Sequence, residues 1–166
     1  MSTGFGKYAI LGKSPDQRIV GGKVRPLILQ STGECKTPAA TAAFVKSHRA
    51  SIDKALRDHG VVLFRDFPLR KAEDFDTFVC GFDGFQDLSY EESMSFAVRK
   101  RCSNRICTTN EGKDGGLVFH HEQAQTPLWP SRLFFCCLLP ARPGDGGAYI
   151  VVFVCFHVHI EVVYFL

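Results

Sequence analysis

The chain has 166 residues, enough for one domain with its own core. It is 45% hydrophobic with 15 Phe, and its net charge of +3 excludes the electrostatic footprint of a nucleic-acid or membrane-surface binder. Seven scattered cysteines, with no CxxC pair, argue against a disulfide framework and a structural zinc site and for reduced thiols inside a cell.

The N-terminal Met1-Ser2-Thr3-Gly4-Phe5-Gly6-Lys7 holds no apolar signal core, so a cytoplasmic location is expected. Residues 1–36 read as loops and short strands, with a turn at Gly21-Gly22 and a strand-like Leu27-Ile28-Leu29 after Pro26. Thr37 at the N-cap and Pro38 behind it open one helix predicted to run to His59. Its inner side is expected to hold Ala43, Phe44, Ser47, Ala50, Ile52, Ala55 and Leu56. His48 reads as a helix surface residue and His59 as a favourable charge at the helix end. Gly60 closes the helix, and Val61-Val62-Leu63-Phe64 is a short apolar run typical of a buried strand. A second helix is predicted over 71–80, with Phe75, Phe78 and Val79 inward.

Residues 81–118 are loop-rich, with strand candidates at 95–98 and 106–110. Arg99-Lys100-Arg101 with Arg105 is the densest basic cluster and reads as a solvated turn, since no aromatic interleaving supports base stacking. Another strand is predicted over 132–139, with Cys136 and Cys137 as small core residues and Phe134 and Phe135 as core and cover. The last stretch, 149–166, is almost wholly apolar. Its length raises the membrane question, but His157, His159 and Glu161 argue against a spanning helix. As a strand it sets those three on one face, at the risk of a long exposed edge.

The chemistry concentrates at Phe119-His120-His121-Glu122-Gln123. On a strand, His120 and Glu122 share a face with Cα atoms roughly 6.5 Å apart. Both could then reach one metal ion, as two members of a 2-His-1-carboxylate set. The competing reading is a buried His–carboxylate pair that only stabilises the strand. His121 would point the other way.

Four segments together resemble one family: Gly60-Val61-Val62-Leu63-Phe64-Arg65-Asp66-Phe67, Thr109-Asn110-Glu111, Phe119-His120-His121-Glu122-Gln123-Ala124-Gln125, and Pro130-Ser131-Arg132-Leu133-Phe134-Phe135. They are similar to the taurine dioxygenase (TauD/TfdA) family, in its plant clavaminate synthase-like branch, over roughly residues 33–147. The resemblance implies an oxidoreductase that uses Fe(II), with 2-oxoglutarate as cosubstrate, on a small organic substrate. It implies a mainly β, α+β fold: part of a double-stranded β-helix (jelly-roll) with flanking helices. It makes His120 and Glu122 iron ligands and places Asn110 near the substrate or cosubstrate.

The family pattern also carries a second histidine ligand and a 2-oxoglutarate-binding arginine far downstream. This sequence shows no counterpart to either, and Arg132 and Arg142 stand too early to serve. Gly146-Gly147-Ala148-Tyr149 replaces the expected Gly-Gly-x-Thr, and the resemblance stops at residue 149. The expectation is a C-terminally shortened member: loops and short strands over 1–36, the first part of the dioxygenase domain over 37–148, and an apolar tail without the resemblance over 149–166. The alternatives are a non-catalytic fragment or binding module that keeps part of the fold, and a zinc site completed by His157 or His159.

Overall fold

A computed structural model describes residues 4–88, 99–108, 120, 122–123, 127, 129–140 and 142, and the backbone of 161–165. In chain order the elements are β1 (Ala9–Leu11), β2 (Arg18–Val20), β3 (Lys23–Arg25), β4 (Leu27–Ser31), α1 (Pro38–Ser47), α2 (Arg49–His59), β5 (Val61–Arg65), α3 (Ala72–Val79), β6 (Arg132–Cys136) and β7 (Glu161–Phe165). The architecture is α+β. One five-stranded mixed sheet runs β1-β4-β5-β7-β6, and β2-β3 is a separate hairpin. Both sheets are open among the described residues.

β5 is central because it is apolar on both faces. Val61, Val62, Leu63 and Phe64 are all buried, as a strand with parallel neighbours requires. Its link from β4 is the α1–α2 crossover that a parallel pair needs. The 161–165 backbone does not lie at an edge. It pairs in parallel with β5 on one side and β6 on the other, with Val61 opposite Val162 and Arg132 opposite Glu161. The strand predicted over 106–110 is reduced, among its described residues, to one bridge between Arg101 and Cys107. The candidate at 95–98 lies outside the described residues.

The single helix predicted over 37–59 is two helices. Thr37 caps the first through its hydroxyl, which accepts from Ala40 N at 3.1 Å. The break falls at His48, with φ −110° and ψ 18°. Three donors converge on Phe44 O: His48 N at 3.0 Å, His48 Nδ1 at 3.0 Å and Ser47 Oγ at 2.9 Å. Side-chain donors competing for a helix carbonyl end the ladder there. The inner stripe therefore restarts in a new phase. Thr41, Phe44, Val45, Ile52, Ala55 and Leu56 are buried, whereas Ala43, Ser47 and Ala50 are exposed. His48 is half-buried and packs on Phe44 and Tyr8. His59 likewise does more than end a helix, because its Nδ1 lies 2.8 Å from Val24 O and ties α2 to β3. Gly60, at φ +75°, closes α2 as the sequence implies.

The core is a chain of phenylalanines. Phe44 stacks on Phe67, Phe67 meets Phe64 edge-on, and Phe64 meets Phe78 edge-on at 5.3 Å. Phe78 meets Phe82, and Phe82 meets Phe134 of β6 at 5.0 Å. The chain links α1, β5, α3 and β6. Among the described residues no helix is long and apolar enough to cross a membrane.

Candidate metal centre

The site is built on a short hairpin and a turn. Lys100 O accepts from Thr108 N at 2.8 Å, and Cys102 N donates to Ile106 O at 2.8 Å, so residues 100–108 fold back on themselves. Ser103 Oγ donates to the buried Asp76 carboxylate at 2.6 Å and pins the hairpin to α3. Arg99 stands at the hairpin's base. Its guanidinium Nη2 donates to Glu122 Oε1 at 2.9 Å. Both side chains are largely buried, at 16% and 12% exposure.

His120 and Glu122 do converge, but not by the predicted route. His120 lies outside regular structure, and Glu122 and Gln123 form a turn rather than a strand. Gln123 is buried at φ +56°, a left-handed conformation uncommon outside glycine. The turn brings Glu122 Oε2 to 3.7 Å from His120 Nε2. The His120 side chain is 46% exposed, so the pair opens to solvent on the imidazole side. Among the described residues no third His, Cys, Asp or Glu joins them. His121, Asn110, His157 and His159 lie outside the described residues.

Lys100, Arg101 and Arg105 of the basic cluster are exposed, as a solvated turn requires, and Arg99 alone departs from that reading. Arg99 is the partner of Glu122, and Arg105 pairs with Asp87 at 3.1 Å and reaches Cys80 Sγ at 3.4 Å. Sequence reasoning missed Arg99 because its acidic partner stands 23 positions later. The one available signal was electrostatic: a carboxylate in an apolar run needs a cation if it is buried.

Arg132 has a structural role. Its Nη1 donates to Asp53 Oδ1 at 2.9 Å, and Arg49 Nε donates to both oxygens of that carboxylate at 2.9 Å. Both guanidinium groups also lie over the rings of Phe82 and Phe85. Among the described cysteines all six are free. Burial, with Cys137 and Asp74 adding to it, pushes the Cys136 thiol up to about 11. It therefore stays protonated and inert as a small core residue.

Residues 31–152 match the family described as taurine catabolism dioxygenase TauD, TfdA family. A clavaminate synthase-like protein of Arabidopsis thaliana is 39% identical over 104 residues. That alignment takes in 62% of this chain and 30% of the relative, so the chain spans under a third of the relative's length.

Proposed function

The chain belongs to the taurine catabolism dioxygenase TauD, TfdA family, and on that premise we propose that it is an oxidoreductase of the Fe(II)- and 2-oxoglutarate-dependent kind, acting on a small organic substrate. The observation that carries the reading is the approach of His120 Nε2 to Glu122 Oε2 inside the matched segment. Two bonds of about 2.1 Å to one ion set their donor atoms roughly 3.0 Å apart when adjacent and roughly 4.2 Å apart when opposite. The observed 3.7 Å is wider than the adjacent separation, so the two side chains would draw together on binding one ion. An imidazole nitrogen with a carboxylate oxygen also suits Fe(II).

When bound, Fe(II) with 2-oxoglutarate and O₂ supplies the oxidation of an unactivated C–H bond. The chain's own residues hold the ion. His120 contributes a neutral donor, and Glu122 offsets one of the two positive charges. The buried Gln123, next to Glu122, anchors the turn that carries the carboxylate. A double-stranded β-helix core and an Asn110 that faces the substrate or cosubstrate belong to the same proposal, on the family resemblance. So does a reducing cytoplasmic setting, which suits the free thiols.

Anaerobic addition of Fe(II) and 2-oxoglutarate tests this reading. The expected result is a visible charge-transfer band from the chelated complex. A folded protein that gives no band is instead the non-catalytic binding module.

A further inference from the structure

Resting on that reading of the site, we infer that Arg99 is a positioning residue that holds Glu122 to a single metal-facing oxygen. A carboxylate beside a metal can bind through one oxygen or swing to use both. Here the two oxygens are already distinguished. Oε1 accepts from Arg99 Nη2 at 2.9 Å, and Oε2 turns toward His120 Nε2 at 3.7 Å. An arginine–carboxylate hydrogen bond is charge-assisted and strongly directional. At 16% and 12% exposure, water screens and loosens this one little.

The surrounding structure fixes both ends. Arg99 leads directly into the 100–108 hairpin, which the Ser103–Asp76 hydrogen bond ties to α3. Glu122 is held by a turn whose next residue is buried at φ +56°. Rotation of the carboxylate onto both oxygens would break the Arg99 bond. One-oxygen ligation keeps a further position on the ion open, which a two-point chelating cosubstrate needs. Outer partners that orient metal ligands act in this way.

Affinity alone would be a poor witness, because two effects oppose. Loss of an orienting partner weakens metal binding by roughly 10–100-fold. Loss of a nearby positive charge strengthens it. Ligation mode is the cleaner readout. Infrared difference spectra are recorded on the full chain, with its glutamates ¹³C-labelled, before and after Co(II) addition. The Glu122 band is identified by its loss in Glu122→Gln. One-oxygen binding gives a wide separation of the two carboxylate stretches, and two-oxygen binding a narrow one.

The expected result is a wide separation in the parent chain, a narrow one in Arg99→Gln, and recovery of the wide one in Arg99→Lys. Circular dichroism checks that each variant is folded. If Arg99→Gln misfolds, the parent and Arg99→Lys decide, and a narrow separation in the parent overturns the inference. A separation that Arg99→Gln leaves unchanged overturns it too, and makes the ion pair a structural one. A parent chain with no Co(II)-induced change overturns the metal reading itself, and the inference with it.

Discussion

Replacing Phe78 with alanine will destabilise the protein by about 3–5 kcal/mol, read as a fall in the urea midpoint by far-ultraviolet circular dichroism. Phe78 is 0% exposed and joins the aromatic chain at its middle. Its ring lies 5.3 Å from Phe64, 6.4 Å from Phe75 and 5.4 Å from Phe82. Truncation removes the buried area and leaves a cavity between β5 and α3, which the helix cannot close. Gly81, just after α3, already sits so close to α1 that an added Cβ would lie 2.6 Å from Ala42 O. Against a total of about 5–15 kcal/mol, such a loss threatens the fold itself. A loss near 1 kcal/mol would mean that the helix shifts to refill the space.

Asp53→Ala is expected to cost a similar amount, about 3–5 kcal/mol by the same measurement. Asp53 is the carboxylate shared by Arg49 and Arg132, and the Arg132 side chain is only 7% exposed. Alanine leaves two positive charges facing one another with little water to screen them. Asp53→Asn keeps an acceptor without the charge, so its cost falls between parent and alanine. The Lys54–Asp58 pair, one residue along the same helix, is the contrast. Lys54 is 70% exposed, and its removal should scarcely move the midpoint. If Asp53→Ala is as silent as Lys54→Ala, the shared carboxylate does not tie α2 to β6.

Much of the first half was legible from residue order because local rules agree there. Thr37 before Pro38, Gly60 after a basic helix end, and four apolar residues in a row each leave few alternatives. The break at His48 was not legible, since it depends on two side chains choosing the Phe44 carbonyl over solvent. Parallel pairing of residues 161–165 with both β5 and β6 was not legible either. It joins segments about a hundred residues apart in the first case and about thirty in the second, and an apolar run carries no mark of its neighbours.

At the site, the His-x-Glu spacing pointed to two side chains that do lie close together, but by a different local route. A strand would set both side chains on one face, whereas His120 lies outside regular structure and Glu122 and Gln123 form a turn. Arg99 was hidden by its company, because a run of basic residues reads as solvated until a buried acid is found for one of them.

The central claim is that His120 and Glu122 hold the metal. The most direct measurement is the anaerobic Fe(II) and 2-oxoglutarate titration carried out side by side on the parent chain and on His120→Ala. Since the His120 side chain is 46% exposed, its truncation should leave the circular dichroism spectrum intact. The account predicts a charge-transfer band in the parent that is lost in His120→Ala. A band of equal strength in the folded variant would place the metal elsewhere and contradict it.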